Sequence, residues 1–147
     1  MRVVLDTNVL ARATKSASGP ARELLTILTQ PAHRLITSAV LLAELMRVLE
    51  YPRVQALHGL TRDGIEEFVL HVFHVAEVVS LEATEITTVV AADPDDDSVI
   101  QTAVRGKAEV ICTLDRHLHR DQVRHYCQAR GIRVLDDVTL LRSLRQA

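Results

Sequence analysis

The chain has 147 residues, 48% hydrophobic and 24% charged, a balance that fits one folded domain and excludes a disordered tail. Its net charge of −2 argues against a protein that coats nucleic acid irrespective of sequence, and 3% aromatics without tryptophan argue against a base-stacking platform. No apolar run approaches the ~20 residues that span a bilayer. Asp6 and Asn8 interrupt the N-terminal MRVVLDTNVL too early for a signal peptide, so the expectation is a cytoplasmic protein with no membrane association.

In chain order, Val3 to Leu5 is a short apolar run, as in a strand buried on both faces. It stops at Asp6-Thr7-Asn8, and an apolar-periodic stretch begins at Val9. Pro20 suits the first turn of a helix carrying Leu24, Leu25, Ile27 and Leu28, which Pro31 ends. Leu35-Ile36-Thr37 reads as a second strand, and Ser38 as the N-cap of a helix through about Glu50. Leu41, Leu45, Val48 and Leu49 form the buried stripe of that helix, with Glu44 one turn in and beside the stripe. Tyr51-Pro52 closes it. Thr61 to Gly64 opens a further helix with Ile65, Phe68, Val69, Val72 and Phe73 at helical spacing. Val75 to Val79 predicts a third strand, followed by a helical or irregular stretch to Ala92.

The segment ADPDDDSVIQTA then places four aspartates, Asp93, Asp95, Asp96 and Asp97, ahead of a short helix through Val99, Ile100, Ala103 and Val104. Val110 to Thr113 is a fourth buried strand, and it too runs into an acid, Asp115. Residues 121 to 130 predict a helix stopped by Gly131, Ile132 to Leu135 a fifth strand, and Asp136 a last helix through Leu144. Strands alternating with helices indicate a single α/β domain over residues 1–147 with a mostly parallel sheet. Two cysteines form neither a disulfide framework nor a metal knuckle, and Cys112 reads as a buried structural thiol.

The acidic cluster has two readings. Asp is a favoured N-cap and first-turn residue, which accounts for one or two of the four; a bound cation accounts for more. In a parallel sheet the strand C-termini and the following helix N-termini share one edge. If the first and fourth strands are neighbours, Asp6, Glu44, Asp96, Asp97 and Asp115 face one crevice. Carboxylates with no histidine or cysteine among them are hard oxygen donors suited to Mg²⁺ or Mn²⁺. Such ions position a phosphodiester and activate water, and without them an acidic site repels a polyanion.

LDTNVL at 5–10, the helix LLAELMRVL carrying Glu44, DPDDD at 93–97 and ICTLDRHL at 111–118 together resemble the PIN-domain ribonucleases, and most of all the VapC-like toxins of toxin–antitoxin pairs. The resemblance covers nearly the whole chain. It implies a three-layer α/β/α sandwich, Mg²⁺- or Mn²⁺-dependent cleavage of RNA, and a homodimer restrained by an antitoxin. Asp6 then corresponds to the first metal-binding acid and Glu44 to the second. The third is Asp96, seven residues before Ala103, with Asp97 the alternative; Asp115 is the fourth. Thr113 corresponds to the hydroxyl residue of a TxD pattern, and Asn8 to an asparagine that braces Asp6.

Each residue also has a plainer reading. Asp6 is a common strand-end turn residue, Glu44 pairs with Arg47 on a helix surface, and Asp115 caps a segment starting at Arg116. His117 and His119 are expected to be exposed and without a role, and His71 and His74 to be a solvated or interface pair. Arg12, Lys15, Arg47 and Arg116 are candidate phosphate contacts. The apolar helices with Leu24, Leu25 and Leu28 and with Phe68, Val69, Val72 and Phe73 are candidate surfaces for a second copy or an antitoxin peptide. Two other functions compete with the nuclease: a metal- and RNA- or partner-binding protein that does not cleave, and an aspartate phosphotransferase or phosphatase. The second wants a DxD motif where this chain has Asp6-Thr7-Asn8.

Overall fold

The structure, a computed structural model, describes residues 1–14, 19–81 and 94–146, with residues 94–97 as backbone only. Five strands, β1 (Arg2–Leu5), β2 (Arg34–Ser38), β3 (Glu77–Val79), β4 (Val110–Cys112) and β5 (Arg133–Leu135), form one sheet in the order β3-β2-β1-β4-β5. Every pairing is parallel, and β1 lies between β2 and β4 with Val4 opposite both Ile36 and Ile111.

Side chains alternate across the sheet and so divide the core in two. Val3, Leu5, Leu35, Val110 and Cys112 point to one side, where they pack with α1 (Thr7–Arg12), α2 (Pro20–Leu28), α3 (Ala39–Leu49), α4 (Pro52–His58), α5 (Arg62–Val75) and α8 (Asp137–Gln146). Val4, Ile36, Ile111 and Val134 point to the other, against α6 (Pro94–Arg105) and α7 (Asp121–Gln128). This is the three-layer α/β/α sandwich that the sequence implies.

Local signals set most boundaries. Ser38 Oγ accepts from the Leu41 amide at 3.3 Å and Thr61 Oγ1 from the Gly64 amide at 3.2 Å, so α3 and α5 start at the expected caps. Pro52 differs from expectation. It does close off α3, but it also opens α4, because proline's missing N–H costs nothing in a first turn. α5 runs through Val75, so β3 is shorter than the apolar run suggested. Phe73 fits the helical spacing, yet it is 47% exposed beside His74 rather than in the core. The stretch from 82 to 92 that was read as helical or irregular lies outside the described residues.

Two features lock the sheet. Arg2 donates from Nε and Nη2 to the Gly106 carbonyl at 3.0 and 2.7 Å and also pairs with Glu77, joining the chain start to β3 and the end of α6. A Cβ at Gly106 would lie 2.5 Å from Ile36 Cγ2 and 3.1 Å from the Thr102 carbonyl, so the close approach of α6 to β2 requires glycine there. Gly106→Ala is expected to destabilise the fold by about 1–3 kcal/mol in urea unfolding, as for other overpacked cores.

Asp136 caps α8, its Oδ1 accepting from the Thr139 amide at 2.7 Å, and the Thr139 contacts hold its carboxyl below the ordinary 3.8. Asp136→Ala is expected to cost about 0.5–2 kcal/mol at neutral pH. Because the folded pKa is depressed, this difference is full above pH 3.8 and shrinks as pH falls through the folded value. Unfolding both proteins at pH 7 and at low pH checks the sign.

Candidate functional site

The ladder between β1 and β4 builds the site. It extends one step past Leu5 and Cys112, the Asp6 amide donating to the Cys112 carbonyl at 2.9 Å, so Asp6 and Thr113 sit side by side where the two strands end. Asp6 turns the chain into α1 and is its N-cap, with Oδ1 accepting from the Thr7 amide at 2.7 Å. Oδ2 accepts from Thr113 Oγ1 at 2.7 Å, and Asn8 Nδ2 lies 3.4 Å from the same oxygen. Asn8 Oδ1 accepts from the Leu114 amide at 3.3 Å. Thr113 Oγ1, having given its proton to Asp6, accepts from the Asp115 amide at 3.0 Å. One hydroxyl thus connects the two acids.

Asp6 is only 4% exposed. Burial pushes its carboxyl pKa up, the Thr113 hydroxyl and the Thr7 amide hold it down, and the nearby Asp115 charge pushes it up again. All of its hydrogen-bond partners among the described residues are neutral. Asp115 Oδ1 accepts from the His117 amide at 2.9 Å and so caps the 3₁₀ turn Arg116–His119. The plainer reading of Asp115 therefore holds for one of its oxygens.

Glu44 is half buried, one turn along α3. Since α3 follows β2, and β2 neighbours β1, α3 begins at the same edge as Asp6 and packs on α1. The backbone of Asp96 and Asp97 lies in the first turn of α6, which reaches α3 through a 2.9 Å hydrogen bond between Ser38 Oγ and Thr102 Oγ1. The side chains of Asp96 and Asp97, and residues Asp93 and Lys15, lie outside what the structure describes. Arg12, Arg47 and Arg116 are exposed, at the end of α1, on α3 and at the start of the 3₁₀ turn.

The model of the PIN domain family matches residues 2–117. The chain belongs to the PIN domain family. Among solved structures it is similar to VapBC2 from Rickettsia felis bound to a DNA fragment from its promoter, with 14% identity, TM-score 0.61, and 92% of this chain and 98% of that one covered. PAE2754 from Pyrobaculum aerophilum aligns at 16% identity and TM-score 0.64, over 100% of this chain and 91% of its own. VapBC-1 from nontypeable Haemophilus influenzae aligns at 17% and 0.57, over 94% and 99%. At these identities the likeness is one of fold. A search of curated proteins found no match.

The donor chemistry of this PIN domain's edge suits a hard cation. Two carboxylates of like charge, one of them desolvated and met only by neutral donors, gain most from a divalent ion. No group of three or more His, Cys, Asp or Glu side chains among the described residues is close enough to hold a metal. A third ligand therefore has to come from residues beyond that set or from movement of Glu44.

Sequence reasoning passed over three residues near the site. His119 is half buried, not exposed, and its Nε2 lies 2.8 Å from the Thr113 carbonyl. Its spacing gave no signal, because the contact closes a loop rather than following a periodic element. Asp136 and Asp137 follow β5 at the same edge, and the order β1-β4-β5 would have flagged them had it been known. Both are engaged as helix-start acceptors, of Thr139 and Val138 amides. Burial pushes the Cys112 thiol far up, with Asp137, Asp136 and Asp6 adding to it, in keeping with an inert structural thiol.

Thr113→Val keeps the side-chain shape but removes one donor to buried Asp6 and the acceptor of the Asp115 amide. The expected loss is about 1–3 kcal/mol of stability, read by chemical denaturation.

Proposed function

We propose that this PIN domain is a metal-dependent endoribonuclease acting as the toxin of a toxin–antitoxin pair. The observation that carries the reading is Asp6, a nearly fully buried carboxylate joined to Asp115 through Thr113 with no cationic partner among the described residues. Mg²⁺ or Mn²⁺ held by Asp6, Glu44, Asp115 and either Asp96 or Asp97 would supply Lewis-acid polarisation of a phosphoryl oxygen and a more acidic bound water. Thr113 and Asn8 orient Asp6, and Thr113 also fixes the backbone that carries Asp115. Arg12, Lys15, Arg47 and Arg116 offer cations for backbone phosphates on either side of the scissile bond. Hydrolysis proceeds by in-line attack of water, with no covalent enzyme intermediate.

The toxin role rests on the fold shared with the VapBC assemblies of R. felis and H. influenzae. An antitoxin and a second copy of the chain are the proposed partners, in the cytoplasm. The exposed Leu70 and Phe73 of α5 support an associating surface. Among the described residues no helix is long and apolar enough to cross a membrane.

Purified protein is expected to cleave RNA with Mg²⁺ or Mn²⁺ and to stop when EDTA is added. Asp6→Asn and Asp115→Asn should each lower the rate by at least about a hundredfold, the scale of losing one electrostatic element of a catalytic site. Equal rates for Asp6→Asn and wild type would overturn the mechanism. Metal binding without turnover on any RNA would leave a binding protein instead.

A further inference from the structure

We propose that His119 is a positioning residue that anchors the loop after β4 and, through Thr113, holds Asp6 and Asp115 in their mutual geometry. The need arises from the ladder. The Thr113 amide donates to the Leu135 carbonyl at 3.0 Å, so the Thr113 carbonyl faces the same neighbour, β5. β5 ends at Leu135, and Asp136 leads straight into α8, so no strand amide remains to meet that carbonyl. Thr113 is fully buried, and a buried carbonyl requires a partner. His119 Nε2 takes that place at 2.8 Å, closing a loop that contains Leu114, Asp115 and His117.

Arg124 of α7 fixes the ring. Its Nε donates to the His119 carbonyl at 3.0 Å, and its Nη2 lies 3.0 Å from His119 Nδ1. A guanidinium only donates and a carbonyl only accepts, so the tautomer with its proton on Nε2 satisfies both contacts. The chain of contacts then runs from Arg124 to His119, to the Thr113 backbone, and from the Thr113 hydroxyl to Asp6 Oδ2 and the Asp115 amide. A residue outside the acid set thereby determines where two of the acids stand. The role rests on the metal-site reading above, but the brace itself exists without metal, and the two are separable by experiment.

The test compares wild type, His119→Ala and His119→Gln, the glutamine being able to offer an N–H donor at a similar reach. In metal-free protein, amide hydrogen exchange at Leu114, Asp115 and His117 is expected to speed up in His119→Ala and to stay near wild type in His119→Gln. Amides of β1 and α3 should be unchanged in both, which separates a loosened loop from a protein that fails to fold. Mn²⁺ titration by calorimetry is expected to show about 10–100-fold weaker binding for His119→Ala, the scale of losing an outer support of a metal site, with binding largely restored in His119→Gln. Wild-type protection at Asp115 in His119→Ala, or a glutamine variant no better than alanine, overturns the proposal. Failure of wild type to bind Mn²⁺ overturns the metal reading, and the exchange data then decide the brace by themselves.

Discussion

The structure depends most on the burial of one carboxylate. Asp6 continues the backbone ladder between the two central strands and caps the first helix, so its side chain cannot leave the interior without undoing both. An ionised group in such a place is costly unless donors surround it. The Thr7 amide and the Thr113 and Asn8 side chains offset part of that cost, while Asp115 adds to it. The remaining imbalance separates this edge from an ordinary set of helix caps, and a divalent ion is the species that corrects it.

Hydroxyl groups carry the connections around that carboxylate. Thr113 joins β4 to β1 and holds the Asp115 backbone. A parallel arrangement joins the other two acid-bearing elements. Thr102 Oγ1 donates to the Ser98 carbonyl, so it accepts from Ser38, which in turn accepts from the Leu41 amide. Helices α3 and α6 are thus tied together close to their N-termini, where Glu44 and the aspartate cluster lie. Each of these hydroxyls is buried and both donates and accepts, a condition under which a small polar network fixes one arrangement.

The legible parts of the fold were those written in local chemistry. Apolar runs of three to five residues identified all five strands, and Ser38 and Thr61 announced their helices through caps. Helix α4 was missed because Tyr51-Pro52 ends one helix and starts the next, and proline at a boundary does not reveal which side is helical. Phe73 was misplaced because spacing identifies a face but not its width; α5 buries Ile65 and Val72 fully and leaves Phe73 at the margin.

The sequence by itself determined the α/β class, the position of Asp6, Glu44 and Asp115 after successive strands, and the family likeness. Those are properties of short segments, set by periodicity, caps and residue type. Only the tertiary structure decided that β1 lies against β4, that one threonine hydroxyl serves two acids, and that His119 meets a carbonyl left over when β5 ends. Contacts such as Asn8 with Leu114 or Thr113 with Asp6 join residues about a hundred positions apart, and no local propensity encodes them. They follow from strand order, which is chosen by how two apolar faces are covered at once.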